Sequence, residues 1–411
     1  MHPVISIGFY LIAQCIALFL AYWCVKHTRN WTSGSRTFRK VLKVLIILFI
    51  VFLMLPVLGA MLPDSGFKFL LQAAGNIWLG FDVYFCGSLW IFGIICGMLQ
   101  QVLGHGKRAF WAAPILYLSL AASLVLFVYG LIHAQNTVVK KYDVTIGKEV
   151  EGLTDLKAVL IADLHLSVNS NVPMIQRAVD LINEQQPDVV LIAGDIFTSS
   201  YNGLKDPEKY AAVLREIRSR YGTYAVYGNH DVEETLFGGF PISPISEAFR
   251  TSQMEQFFKD CGFYVLYDET VTIADGAVQI TGRVDGEKAG DGTSLRKSPS
   301  QVLADADQSK PVIVLQHEPV EFQKLKESGA DLVLCGHTHA GQIFPGNLIV
   351  PFFNENAYGF KNVSGVDTIV TAGIGYYGPP MRVGTDSEIT VVNIHFASHG
   401  HKSVLDSAFS V

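Results

Sequence analysis

Two histidines that are one residue apart follow a short apolar run in the last third of the chain. Residues 332–335 are Leu-Val-Leu-Cys, and Gly336-His337-Thr338-His339 come directly after them. The run has the length and apolar character of a buried strand. Neutral imidazole is the commonest protein ligand for transition metals, so two imidazoles at one strand end could bind a metal in a shared cleft. A polar turn with two incidental histidines explains this stretch equally well, so the choice depends on other strand ends.

Four further apolar runs, at 159–162, 190–193, 224–227 and 312–316, also end in residues of the types that bind metals. In α/β sheets, sites form beyond the carboxyl ends of the strands, and parallel strands bring these ends together. Residues that are distant in sequence can therefore meet at one edge of the sheet. In chain order, the residues at these five strand ends are Asp163, His165, Asp195, Asn229, His230, Asp231, His317, His337 and His339.

The two aspartates, Asn229 and four histidines are more ligands than one four-coordinate metal can use. The set suits two ions that share a bridging carboxylate. Because four histidines are present, Mn, Fe or Zn is favoured over Mg or Ca. A single histidine at a strand end is most often an ordinary polar residue, but five such ends make coincidence a poor explanation.

The residues that position these ligands show an α/β pattern from about residue 154 onward. Apolar runs alternate with segments of helical spacing, which predicts βαβ units and a sheet buried on both faces. The segment at 287–300 is charged and contains glycine and serine, which predicts a surface loop. Strands are predicted at 157–162, 188–193, 223–227, 264–282 (in short pieces), 312–316, 332–335, 368–371 and 388–394, and helices at 173–184, 206–218 and 246–261.

Four long apolar segments precede this domain, at residues 4–25, 41–62, 77–103 and 110–134. Each is near or above the ~20 residues that a helix needs to cross ~30 Å of hydrocarbon. Only 17% of the 411 residues are charged, against about a quarter in soluble proteins. The sequence therefore predicts a transmembrane domain of four helices at 1–134, a polar linker at 135–153 and a further domain at 154–411.

The basic residues around the predicted spans indicate how the chain crosses the membrane. Lys/Arg residues follow the first span and also occupy the loop before the fourth, and positive charge marks the cytoplasmic side. The N-terminus and the domain at 154–411 are therefore expected outside the cytoplasm, in a multi-pass cell-membrane protein. A net charge of −6 gives no reason to expect nucleic acid as a partner. The basic residues are Lys26, Arg29, Arg36, Arg39, Lys40, Lys43, Lys107 and Arg108, against Lys140 and Lys141 on the other side.

The motifs Asp163-x-His165, Gly194-Asp195, Gly228-Asn229-His230-Asp231, His317 and Gly336-His337-Thr338-His339 resemble those of the calcineurin-like metallophosphoesterases in order and approximate spacing. The segment 373–382, Gly-Ile-Gly-Tyr-Tyr-Gly-Pro-Pro-Met-Arg, is similar to the bacterial membrane-anchored branch of that family. The resemblance covers about residues 156–396. It implies an α/β sandwich of two mixed sheets flanked by helices. One departure is Thr385-Asp386-Ser387-Glu388, where the family pattern has Pro-Glu.

The resemblance also implies a role for each position. One metal would take Asp163, His165, Asp195 and His339, and the other would take Asp195, Asn229, His317 and His337, so that Asp195 bridges. His230 would face the substrate, and Asp231 would orient it. Arg382 is a candidate phosphate contact, although a surface ion pair explains it equally well.

These roles imply a metal-dependent phosphoric ester hydrolase in which a hydroxide between two metals attacks phosphorus. A protonated His230 would stabilise the phosphoryl oxygens or protonate the leaving group. The substrate class stays open between a phosphodiester and a lipid or envelope phosphoanhydride. The aromatic segments at 232–244 and 351–360 could contact lipid or form buried lids. The alternative function is a membrane sensor or transport-associated protein with a phosphate-binding outer domain.

Overall fold

The computed structural model describes residues 62–103, 108–237, 240–241 and 243–397, with isolated positions between 12 and 59. The chain divides into two compact units. The first comprises Met1–Ala134, Glu234–Pro244 and Tyr377–Val383, and the second comprises Gln135–Glu233, Ile245–Tyr376 and Gly384–Val411.

Two long helices form the described core of the first unit, α1 (Gly66–Leu103) and α2 (Arg108–His133). Small polar residues lie where they pack, since Ser88 Oγ is 2.8 Å from Ser123 Oγ and 3.4 Å from the carbonyl oxygen of Ser119. A short hairpin of β5 (Leu236–Phe237) and β6 (Phe240–Pro241) belongs to the same unit. Helices are thus present at the third and fourth predicted apolar segments.

Within the described parts of the chain, no helix is both long enough and apolar enough to cross a membrane. Most residues of the predicted spans at 4–25 and 41–62 lie outside the described residues. So do Lys26, Arg29, Arg36, Arg39, Lys43 and Lys107, on which the predicted orientation depends.

The second unit contains two six-stranded mixed sheets, as the resemblance implied. Parallel pairs dominate both sheets. The antiparallel pairs are Ser387–Ala397 with Asp155–Ile161, Gly359–Val363 with Val366–Val370, and Glu269–Ile273 with Val278–Gly282. In spatial order the first sheet is β1 (Thr137–Glu149), β14 (Ser387–Ala397), β2 (Asp155–Ile161), β3 (Val189–Ala193), β4 (Thr223–Val226) and β7 (Tyr264–Val265). The second is β12 (Gly359–Val363), β13 (Val366–Val370), β11 (Leu332–Cys335), β10 (Val312–Leu315), β9 (Val278–Gly282) and β8 (Glu269–Ile273).

The main core of this unit lies between the two sheets. Leu160 and Leu191 from the first sheet belong to the same buried cluster as Ile313, Leu334 and Ile369 from the second. Strands β2, β3, β10 and β11 are buried at almost every position, because helices cover their other faces. The helices and single turns are α3 (Val172–Glu184), α4 (Pro207–Leu214), α5 (Ser252–Asp260), α6 (Pro299–Val302), α7 (Phe322–Glu327) and α8 (Gly346–Ile349).

Strand β1 corrects the prediction of a linker at 135–153. Its residues Thr137–Glu149 pair in parallel with β14 along the edge of the first sheet. Its exposed positions are Lys141, Asp143, Thr145, Gly147 and Glu149, and they alternate with more buried residues. Charged residues are common on edge strands, and here they give the segment the polar composition from which a linker was predicted.

Truncation of a core side chain should show how much the inter-sheet contact stabilises the fold. Leu334 is fully buried and pairs with Leu315 on one side and Ile369 on the other. We expect Leu334→Ala to lower the free energy of unfolding by about 2–5 kcal/mol, measured by chemical denaturation of the full chain in detergent. Leu295→Ala is the matched control, because Leu295 is 77% exposed. Equal effects of the two variants would contradict this placement of the core.

Candidate metal centre

All seven predicted metal ligands lie just beyond strand ends of the second unit. Strands β2, β3 and β4 run parallel in adjacent positions, and so do β10 and β11. Their carboxyl ends therefore meet at one edge of the sandwich. Six of the seven side chains are buried, and His337 is half-buried. The seven are Asp163, His165, Asp195, Asn229, His317, His337 and His339.

One group of donor atoms comes from Asp163, His165 and His339, whose ligand atoms all lie within 4.8 Å of one another. The Nε2 atoms of His165 and His339 are 2.9 Å apart. Asp163 Oδ1 is 3.5 Å from His339 Nε2 and 3.9 Å from His165 Nε2. Two imidazole nitrogens and a carboxylate oxygen therefore converge on one small volume.

A second, adjacent group comes from Asp163, Asp195 and His317. Asp195 Oδ2 is 3.1 Å from His317 Nε2 and 3.6 Å from His165 Nε2, so it lies between the two groups. His337 Nδ1 is 3.2 Å from His317 Nε2. The two histidines of the Gly336-His337-Thr338-His339 turn thus face different groups, while Thr338 Oγ1 turns away and donates to the carbonyl oxygen of Ala357.

The hydrogen bonds of His317 show that a cation belongs in the second group. Its Nδ1 is 2.7 Å from the carbonyl oxygen of Ala193, which can only accept, so Nδ1 carries a proton. In a neutral ring, the Nε2 lone pair would then face the carboxylate of Asp195. Burial by itself lowers the pKa of His317, but Asp195 outweighs it and holds that pKa well above its usual value. A divalent metal bound here would accept both lone pairs. Without it, a proton must lie between them.

The electrostatics of Asp195 agree with this arrangement. Burial raises the pKa of Asp195, but His317, His230 and His165 outweigh burial and hold it well below the ordinary value. Asn229 completes the donor set, because its Oδ1 is buried without a hydrogen-bond partner. Its Nδ2 donates to Glu287 Oε2 at 3.2 Å, which fixes the amide orientation with the oxygen free to bind. Carboxylate, imidazole and amide donors of this mixture fit two transition-metal ions.

The backbone at the centre is strained. Asp163, His165, Asp195, His337 and His339 all have positive φ, between 45° and 76°. Non-glycine residues seldom adopt this region, and such strain collects at functional sites. The left-handed turns swing each side chain from the end of its strand towards the others.

Two glycines let the ligand loops approach each other. A Cβ on Gly228 would lie 2.1 Å from Asp195 Oδ1, and a Cβ on Gly336 would lie 2.6 Å from Asp163 Oδ2. These contacts are shorter than any side chain tolerates. Both positions therefore require glycine so that the carboxylates keep their places.

His230 lies beside the metal ligands without joining either donor group. Its backbone N–H donates to Asp195 Oδ1 at 2.8 Å, and its ring centroid is 5.5 Å from that of His165. Its Nδ1 is 2.9 Å from Ser199 Oγ. Burial lowers the pKa of His230 well below its usual value, which favours the neutral ring. The catalytic role of His230 stays a prediction.

Asp231, which the resemblance implied would orient His230, has three backbone partners in the structure, and its action on His230 stays a prediction. Its carboxylate accepts backbone N–H groups of Asp195, Phe197 and Gly228 at 2.8–2.9 Å. Burial, and then the nearby Asp195, raise the pKa of Asp231 to about 7. Asp231 ties together the two loops that carry Asp195 and Asn229.

Arg382 is fully buried, which excludes the surface ion pair as its explanation. It belongs to the Tyr377–Val383 segment of the first unit, and its backbone N–H donates to the carbonyl oxygen of Gly130. Its contact with phosphate stays a prediction.

Sequence reasoning missed several residues that support the ligands. Thr198 Oγ1 lies 3.1 Å from His165 Nδ1, and Ser199 contacts His230. Both follow closely after Gly194-Asp195, so their position in that loop was the available signal. Glu287 carried no signal, because the segment 287–300 has the composition of a surface loop. Ala289 within that segment is nevertheless fully buried.

Comparison with known proteins agrees with the site. A family model described as calcineurin-like phosphoesterase matches residues 156–341, which include all seven ligands. The two-sheet sandwich with adjacent Asp/His groups at its strand ends thus defines a metallophosphoesterase domain.

Several curated proteins are similar over more than this domain. A "transmembrane protein with metallophosphoesterase domain" from Danio rerio is 32% identical over 324 residues, covering 76% of this chain and 71% of that protein. An uncharacterized metallophosphoesterase of Campylobacter jejuni is 30% identical over 70% of this chain and 73% of its own length. One from Helicobacter pylori is 32% identical over 58% of this chain and 60% of its own. The chain belongs to the calcineurin-like phosphoesterase family.

A methyl group at Gly228 should disable the centre while leaving the fold in place. Because its Cβ would collide with Asp195 Oδ1, we expect Gly228→Ala to weaken metal retention by about 10–100-fold. Metal content after gel filtration, measured by inductively coupled plasma mass spectrometry, gives the result. Gly147→Ala is the control, since nothing lies within 4 Å of a Cβ there. Full metal content in Gly228→Ala would show that the centre tolerates a shifted Asp195.

Proposed function

We propose that this protein is a membrane-anchored phosphoesterase with two divalent metals. The observation that carries the proposal is the pair of adjacent buried Asp/His groups with a further histidine, His230, that belongs to neither. A purely structural metal site has no need of a second donor group or of a further histidine beside it.

The first metal would be held by Asp163, His165, Asp195 and His339, and the second by Asp195, Asn229, His317 and His337. Mn, Zn and Fe fit this nitrogen-rich set. When bound, two such ions supply Lewis acidity and an activated water for displacement at phosphorus. All remaining steps are carried by side chains of the protein.

Asp195 is the proposed bridge between the two metals. Its Oδ2 lies between His165 and His317, at 3.6 and 3.1 Å. Asp163 is also close to both groups by distance alone. However, both oxygens of Asp163 accept the backbone N–H of His337, at 3.2 and 3.0 Å. Asp195 Oδ1 accepts the His230 N–H, which leaves Oδ2 facing both donor groups, where it would bind the two metals.

His230 would donate a hydrogen bond to the phosphoryl group. If Ser199 Oγ–H donates to Nδ1, the neutral ring carries its proton on Nε2. That N–H can hydrogen-bond a phosphoryl oxygen or the leaving alkoxide without an imidazolium in the free enzyme. Ser199 would therefore select the tautomer of His230, the role that the resemblance implied for Asp231.

The proposed substrate is a phosphodiester or a lipid or envelope phosphoanhydride. Arg382 would contact its phosphate, because a guanidinium matches two phosphate oxygens.

The proposed anchor is the four-helix N-terminal unit, with the catalytic domain outside the cytoplasm. Its support is the length and apolarity of the four segments, the basic loops and the name of the zebrafish relative. We also propose the bacterial membrane-anchored branch of the family, on the strength of the 373–382 segment. Protease accessibility of the catalytic domain in intact cells tests the orientation, and cleavage only after lysis would reverse it.

The alternative function is a membrane sensor or transport-associated protein that binds phosphate without turnover. A sensor that only binds phosphate does not need all seven metal ligands, and it does not need His230. The full set of seven ligands with His230 beside them therefore favours the enzyme.

Replacing the bridge should abolish catalysis. We expect Asp195→Asn to lower turnover of bis(p-nitrophenyl) phosphate by about a hundredfold or more, because an amide binds metals more weakly than a carboxylate. Mn- or Zn-loaded protein in detergent is assayed alongside Asp180→Asn, in which the changed side chain is exposed on α3. Turnover like that of the wild type would refute the bridging role. An inactive wild-type chain that retains both metals would favour the sensor.

Replacing His230 separates catalysis from metal binding. We expect His230→Gln to lose about a hundredfold in turnover while both metals stay bound, since His230 belongs to neither donor group. The measurements are kcat and metal stoichiometry, with His395→Gln as the control because that ring is exposed on β14. Loss of metal from His230→Gln would make His230 a ligand instead.

A further inference from the structure

A run of exposed apolar side chains lies on the second unit, in Phe344–Phe353, here named the apolar loop. Phe352 and Phe353 are 85% and 80% exposed. Phe344, Leu348 and Ile349 are exposed as well, at 45–57%. These values rule out a buried lid for this part of the aromatic segment.

The concentration of these side chains is specific to this place. The other exposed large hydrophobic side chains described in the second unit, apart from Tyr358 and Phe360 just beyond the loop, are scattered along the chain: Ile245, Phe249, Tyr264, Tyr267 and Leu295. Single exposed hydrophobic residues are normal, whereas a contiguous set marks an interaction surface. No charged residue occurs from Gln342 to Asn354.

The apolar loop continues directly from the metal centre. Backbone hydrogen bonds connect the intervening turn, from Gln342 N–H to the His339 oxygen at 2.9 Å and from Gly346 N–H to the Ile343 oxygen at 2.7 Å. The backbones of Gly341 and Gly346 also touch, since a Cβ on Gly341 would lie 2.3 Å from Gly346. The loop is thus held to the turn that presents His339, at the rim of the centre.

A lipid bilayer is the occupant that this chemistry fits. Phenylalanines and aliphatic side chains on short helical turns bury themselves at the headgroup and acyl boundary. A protein partner would be expected to meet some charge or hydrogen-bonding group for register, and the loop offers neither sign of charge. Apolar segments elsewhere in the same chain would tether this surface to a membrane, which raises the effective concentration of lipid around it.

We propose that the apolar loop inserts into the bilayer surface and that the metal centre beside it takes phosphoesters carried by membrane lipids. The second half of this proposal rests on the proposed hydrolytic function. The first half stands on the loop alone. Because the loop carries no charge, its insertion should respond little to salt or to anionic lipid.

Photocrosslinking of the full chain tests the insertion. A benzoylphenylalanine in place of Phe352 is irradiated in phosphatidylcholine–phosphatidylglycerol vesicles, and the adducts are identified by mass spectrometry. We expect lipid adducts at Phe352 and none at Tyr264, which is 63% exposed elsewhere on the same unit. Adducts of Phe352 to another segment of the chain or to a second copy would overturn the insertion, as would equal lipid adducts at both positions.

An activity comparison tests the substrate. The double variant Phe352→Ser, Phe353→Ser should hydrolyse phosphatidic acid or a polyprenyl pyrophosphate in vesicles about tenfold more slowly than the wild type. Hydrolysis of soluble bis(p-nitrophenyl) phosphate should not change, because both side chains are exposed and outside the centre. Equal loss on both substrates would overturn the role of the loop.

The two failures are distinguishable. A wild-type chain that hydrolyses bis(p-nitrophenyl) phosphate but neither vesicle lipid overturns the lipid substrate alone. A chain that hydrolyses nothing while Phe352 still forms lipid adducts overturns the hydrolytic function and leaves the insertion standing.

Discussion

The structure depends on a set of buried imidazole nitrogens and carboxylate oxygens whose lone pairs face one another. His317 must use its Nδ1 proton on the Ala193 carbonyl, so its Nε2 faces Asp195 Oδ2 at 3.1 Å. Beside it, the Nε2 atoms of His165 and His339 face each other at 2.9 Å. In an interior without water, burying such metal-binding atoms side by side costs free energy unless a cation lies among them. Metal ions at these two places would remove this repulsion, because each lone pair would then face a cation.

The rest of the sandwich holds those donors against their repulsion. Five ligands have positive φ, and the loops that carry them are joined by backbone hydrogen bonds to the Asp231 carboxylate and by close approach at Gly228 and Gly336. The extensive core between the sheets supplies the rigidity for this strain. The buried Asp231 carboxylate accepts three backbone N–H groups and so joins the loops that carry Asp195 and Asn229.

The same edge of the domain combines two different kinds of surface. The donor atoms are dry, charged and tightly held, whereas the apolar loop that continues from His339 is exposed and uncharged. An enzyme acting on a soluble phosphoester needs only the first. The presence of both, in one chain with long apolar segments, supports the proposal that the centre acts on phosphoesters carried by lipids.

The sequence alone predicted which residues gather at the centre, because apolar runs followed by Asp, Asn or His mark strand ends, and the α/β alternation brings such ends together. It also predicted the two mixed sheets through the family motifs.

Tertiary structure decided the features that depend on contacts between distant loops. Ser199 contacts His230, and the Asp231 carboxylate accepts backbone N–H groups. Glu287, from a segment of loop-like composition, holds Asn229. Strand β1 was missed because the charged residues of this edge strand give it the polar composition of a linker. Composition also left open whether Phe352 and Phe353 are exposed, because aromatic side chains suit a buried lid and a membrane surface equally. Only the folded backbone determines which way these side chains face.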